Sequence, residues 1–220
     1  MSICYIGLGE RVIMKKIFKV VPNYAWLPLF LAIVVNCLVY NGSKVITDHL
    51  EHYDFSIFLD GWLPFLNVFI VIYILAYLQW GIGYIVISRE SKEMCHFIVV
   101  TDVLAKMICL FFFLVVPTYI VRPTITSNDF FSFLTQFIYK MDDPVNLFPS
   151  IHCLESYMVF RGCLNLNVSK RYKIGMGLFT VLVCLSTVFV KQHVVVDIIG
   201  GICIAEFSYQ IVKRFKWFKK

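Results

Sequence analysis

The stretch FIVVTDVLAKMICLFFFLVVPTYIV, residues 97–121, decides the fold class. Its only charged side chains are Asp102 and Lys106. A helix needs about 20 predominantly apolar residues to cross a bilayer, so this run reads as a membrane span. Asp102 and Lys106 stand one helical turn apart, and an internal ion pair near the inner end of the span accounts for both. Five more stretches of this kind lie at about 24–41, 62–88, 148–166, 174–190 and 193–212. The whole chain agrees, with 60% hydrophobic residues, 15% charged residues and a mean hydropathy of +0.78. Soluble domains carry roughly 45–50% and about 25% respectively. The sequence therefore predicts an all-α protein, an integral membrane bundle of six transmembrane helices, with residues 1–220 as one membrane domain.

The basic residues orient the bundle. Assigning loops alternately to two sides puts fifteen Lys and Arg on one side and four on the other, with Lys106 inside a span. The positive-inside rule then places both termini in the cytoplasm. The net charge of +6 needs no nucleic acid, because the cations flank apolar segments. A multi-pass protein of the cell membrane follows. The eight cysteines fall mostly in apolar runs and read as small packing residues. No Ala-x-Ala-like cleavage site follows the first apolar run. Met14-Lys15-Lys16 also makes a sensible start, so residues 1–13 are a candidate gene-model extension.

Two segments on the outer side are more than plain loops. Residues 44–60 mix polar and apolar positions. Residues 129–141 place Phe130, Phe133, Leu134, Phe137, Ile138 and Met141 on one stripe, which predicts a short interfacial helix capped by Asn128 or Ser127. The outer acids, Asp60 and Asp142 among them, read as solvated loop surface.

The same topology brings Arg122, His152, Lys191 and His193 to the outer ends of spans. His193 and Asp197 are spaced i, i+4, one turn apart on a helix face. The carboxylate can hold the Nδ1 proton and leave Nε2 as a nucleophile. An aspartate near a span is costly unless paired, which favours that contact. His152 follows Pro149-Ser150, and Pro149 suits the first turn of a helix. The amides of Ser150, Ile151 and His152 would then form an anion site at the helix N-terminus. His152 is placed to act as the acid, then as the base for water. Arg122 can clamp phosphate oxygens and Lys191 can add a point charge. Glu155, one turn after His152, could orient it or instead pack against a polar neighbour. His49, His52 and His96 read as polar surface. His-x-x-x-Asp alone could be a metal pair, but no third strong ligand stands at matching spacing, so no metal and no cofactor are expected. Gly200-Gly201 reads as a site of close helix contact, and Glu206 suggests no particular role.

Three motifs in order, Arg122-Pro123, Pro149-Ser150-Ile151-His152 and His193-x-x-x-Asp197, carry a family likeness. The chain resembles the type 2 phosphatidic acid phosphatase superfamily, which includes lipid phosphate phosphatases and relatives of vanadium haloperoxidases. The likeness spans about residues 100–205, with the motifs inside about 115–201. It implies that His193 accepts the phosphoryl group, Asp197 supports it, His152 is the acid, and Arg122 and the Ser150 region bind phosphate. Two positions depart from the family pattern. Val115 stands where the first motif has Lys, and Thr187 where the third has Arg. The runs around His152 and Lys191 are more similar to a subgroup with inositol-phosphorylceramide and sphingomyelin synthase relatives. The expected function is a membrane lipid phosphatase facing outside the cytoplasm, acting on a lipid phosphate or an isoprenyl diphosphate. A headgroup phosphotransferase using the same site, or an inactive lipid-binding relative, are the alternatives.

Overall fold

The computed structural model describes residues 20–215; the expectations for residues 1–13 and for the extreme termini lie outside them. The described residues form eight α-helices: α1 (Trp26–Thr47), α2 (Phe58–Trp62), α3 (Ile70–Glu90), α4 (Lys92–Val115), α5 (Phe130–Met141), α6 (Ile151–Cys163), α7 (Lys170–Phe189) and α8 (Val195–Arg214). Two short strands, β1 (Tyr53–Asp54) and β2 (Thr118–Tyr119), pair in parallel between the ends of α1 and α4.

Helix starts follow side-chain chemistry. Ser91, Ser150 and Ser169 accept amide hydrogen bonds at the starts of α4, α6 and α7. Pro28 lies in the first turn of α1, where its missing N–H costs nothing. Asp129 caps α5 by accepting from Phe131 and Ser132 N–H at 2.9 and 3.1 Å, in place of the expected Asn128 or Ser127. Its side chain reaches the free amides two and three positions on, which is the reach an N-cap needs. α4 stops at Val115, short of the expected 121. Val116 leaves helical geometry, Pro117 has no N–H to donate, and the chain continues extended into β2. Arg122 therefore stands in the irregular segment after β2, away from a helix end.

Among the described residues, five helical stretches are long and apolar enough to cross a membrane: Asn23–Thr47, Asn67–Glu90, Lys92–Val115, Lys170–Phe189 and Val195–Arg214. The expected stretch 148–166 differs. Its helix, α6, has 13 residues, or about 20 Å at about 1.5 Å per residue, against a hydrocarbon core of about 30 Å. α6 is central rather than peripheral, packing on α3, α4, α7 and α8. Close approach needs small residues: a Cβ on Gly83 of α3 would meet Val159 at 2.7 Å. The core groups Ile98, Cys109, Leu154, Met158, Val159 and Ala205 around this helix.

A charged cluster sits inside the bundle. Lys106 Nζ lies 2.7 Å from Asp102 and 2.6 Å from Glu155, and Tyr84 donates to Glu155 at 2.7 Å. The Asp102–Lys106 pair is thus made, in the middle of α4 rather than near its end. Glu206 meets Arg161 at 2.9 Å and Tyr157 at 3.0 Å. The α5 stripe splits in two. Leu134 and Ile138 pack on Ile70, Tyr73 and Val190, while Phe130, Phe133, Phe137 and Met141 are exposed.

Candidate active site

The turn between α7 and α8 presents His193. Val190 N–H donates to Ser186 O, and the amides of Gln192 and His193 donate to Thr187 O at 2.9 and 3.1 Å. Lys191 takes a left-handed conformation, φ 51°, to close the turn. His193 precedes α8 rather than lying on it, so the expected helix-face pairing is replaced by a cap. Asp197, in the first turn of α8, reaches back. Its Oδ2 accepts from His193 Nδ1 and from Val194 N–H, both at 3.1 Å. With Nδ1–H donated to the carboxylate, Nε2 keeps the lone pair. His193 is 8% exposed and Asp197 fully buried.

His152 is the second residue of α6, and its ring centroid lies 6.3 Å from that of His193. Tyr73, Tyr77 and Trp80, spaced i, i+4, i+7 on α3, face it with centroids at 4.1, 5.5 and 5.0 Å. His152 Nδ1 lies 3.4 Å from the Tyr73 hydroxyl. Glu155 is not its partner, because both carboxylate oxygens are taken by Lys106 and Tyr84.

Ser150 is placed differently from the sequence reading. It is the N-cap of α6, fully buried, and its hydroxyl accepts from Cys153 N–H at 3.3 Å. Its own amide donates to Asp197 O at 3.1 Å. Pro149 precedes that cap, joined to Phe148 by a cis peptide bond, rather than sitting in the first turn. The Ser150 amide is therefore spent on α8. Gly201 makes this contact possible, since a Cβ there would come 2.5 Å from Ser150 O. Gly200 packs likewise against the Phe148 ring.

The cations are held by the chain itself. Arg122 donates to Tyr139 O at 3.3 Å, to Asp142 O at 2.6 Å and to Gln192 Oε1, and its guanidinium lies 4.4 Å from the Tyr139 ring centre. Lys191 Nζ donates to Asp60 O at 3.1 Å and Leu63 O at 2.7 Å. Of the two departures from the family pattern, Val115 is exposed on α4, and Thr187 is buried with its hydroxyl on Cys184 O.

Three contributors escaped the sequence reading. Gln192 holds Arg122. Asp60 is no solvated loop acid: Oδ1 accepts from Val195 N–H at 2.8 Å and braces the start of α8, while Oδ2 accepts from Ile57 N–H. Asp142 is partly buried beside Lys44 at 3.2 Å, and burial still lifts its carboxyl to about 6. Apart from the local Asp60–Ile57 contact, these join segments far apart in sequence, for which spacing gives no signal.

Two cavities of about 390 Å³ meet at His193. One lies among the helices, with Tyr40, Tyr73, Tyr77, Trp80, Phe113 and Phe137 in its wall beside His152. The other lies among the segments joining the helices, with Asp54, Ser56, Asp60, Arg122 and Lys191. The arrangement offers an oriented imidazole, a second imidazole across a gap, and cations on one flank. That set can displace a group at phosphorus through a covalent intermediate.

Residues 92–220 match the family model described as the PAP2 superfamily. No curated protein and no solved structure matches the chain.

Proposed function

Since the chain belongs to the PAP2 superfamily, whose members are phosphoric ester hydrolases, we propose that it is a membrane lipid phosphatase working through a phosphohistidine. The supporting observation is the His193–Asp197 pair, 3.1 Å apart, with His152 across a 6.3 Å gap. His193 Nε2 attacks phosphorus while His152 protonates the departing oxygen. Water, deprotonated by His152, then cleaves the phosphorus–nitrogen bond. Asp197 stabilises the imidazolium that forms. Arg122 turns from the α5 carbonyls toward the phosphate oxygens, Lys191 adds positive potential, and the cap that Ser150 makes on α6 keeps His152 in register. The aromatic cavity suits a lipid tail, which favours a lipid phosphate monoester or an isoprenyl diphosphate as substrate.

We read the chain as crossing six times, with the short α6 shielded from lipid by its neighbours. Both termini are then cytoplasmic, α5 lies in the outer interface, and the site opens outside the cytoplasm of the cell membrane. The fifteen-to-four split of basic residues supports this orientation.

The purified protein should release phosphate from lipid phosphates or isoprenyl diphosphates without added metal. His193→Ala should lower this at least about 10³-fold. Turnover that survives the substitution would refute the mechanism.

A second reading is favoured by the charged cavity. Asp54 and Ser56 line it together with Arg122, Lys191 and His193 and offer oxygen atoms to a polar headgroup, which could remain on phosphorus and pass to an alcohol. A new lipid product on adding alcohol acceptors would select this reading, and strict dependence on water would exclude it.

A further inference from the structure

A histidine that exchanges protons at one ring nitrogen needs the other nitrogen held. For His193 the holder is Asp197. The sequence offers Glu155 to His152, but that carboxylate is committed to Lys106 and Tyr84. Tyr73 stands in the place instead. Its hydroxyl lies 3.4 Å from His152 Nδ1, and its ring stacks on the imidazole at 4.1 Å with an interplanar angle of 19°. Tyr73 is 1% exposed and packs with Ile70 and Val190, which hold it in position. Val190 opens the turn that presents His193, so one side chain braces both histidine-bearing segments. His152 Nε2 has no protein partner among the described residues.

From this juxtaposition we infer that Tyr73 is the positioning residue of His152, and directs its proton exchange through Nε2. The inference rests on His152 being the acid of the phosphohistidine reaction. The phenol oxygen can accept from Nδ1–H in both halves of the cycle. In the first half, Nε2 gives its proton to the alkoxide oxygen as the phosphorus–oxygen bond breaks. Nδ1–H stays on the ring and donates to the Tyr73 oxygen. In the second half, Nε2 takes a proton from the water that breaks the phosphorus–nitrogen bond. The ring returns to its starting state and Tyr73 gains no proton. Tyr77 and Trp80 of α3 and His193 of the turn also face His152. The polar contact at Nδ1 comes from Tyr73.

Tyr73→Phe keeps the stacked ring and removes the hydroxyl. Its kinetics should be compared on an alkyl lipid phosphate and on p-nitrophenyl phosphate. The alkoxide leaving group must be protonated, whereas nitrophenolate needs no acid. On the alkyl ester, kcat/KM, which reports the step that expels the leaving group, should fall about 10–100-fold, part of the roughly 10²–10⁴ an acid supplies. On the aryl ester, kcat/KM should change less than about threefold. The ratio of the two kcat/KM values is insensitive to the fraction of protein that is folded. An equal fall on both esters, or none on the alkyl ester, overturns the inference. Wild-type protein inert on both esters, or an active His193→Ala variant, would instead overturn the phosphohistidine reading beneath it.

Discussion

Asp197 Oδ2 accepts from both His193 Nδ1 and Val194 N–H, so one oxygen orients a side chain and caps a helix. Asp197→Asn separates these roles. The amide oxygen can still cap, but it no longer offers a charge to an imidazolium. Turnover should fall roughly 10²–10⁴-fold, while stability drops by no more than about 1 kcal/mol. Turnover and thermal melting on one preparation check this, and near-normal turnover would remove Asp197 from the mechanism. The His193–Asp197 contact was legible in the sequence because the partners stand only four positions apart, although a cap rather than a helix face brings them together. Tyr73, 79 positions from His152, was not legible, and neither was Asp60, 135 positions from Val195. Local spacing carries no record of such meetings. Glu155 illustrates the reverse error: correct spacing from His152, but a stronger partner in Lys106.

Among the helices, the five long ones were legible as apolar runs, because lipid-facing surface has to be apolar. α6 was overextended at both ends by the same criterion. Its apolar residues face protein, and hydropathy does not separate a helix buried in protein from one buried in lipid. Its close packing makes a sharp prediction. A Cβ on Gly201 would come 2.5 Å from Ser150 O, whereas one on Gly175 of α7 meets nothing within 4 Å. Gly201→Ala should cost about 1–3 kcal/mol and lower turnover by shifting the start of α6. Gly175→Ala should be neutral or stabilising by up to about 1 kcal/mol. Melting curves of the two variants check this, and equal midpoints would contradict the packing.

For the whole molecule, the charge asymmetry fixes an expected orientation that can be read in intact cells. A cysteine at Ser56 should react with a membrane-impermeant maleimide added outside. A cysteine at Asn167, between α6 and α7, should react only after permeabilisation; the opposite pattern would turn the site to the cytoplasm. The sequence carries an expectation about the sides but none about the inner cavity, which needs side chains from α1, α3, α4, α5 and α6 to converge. The hydrogen bond from Ser150 N–H to Asp197 O has a consequence for how such a site can change. The distance between the two imidazoles is gauged by main chain against main chain, with Gly201 as the spacer. Under the proposed mechanism, exchanging cations around the site would alter the grip on an anion and leave the gap between the imidazoles at its set width. Affinity and reach are separately adjustable.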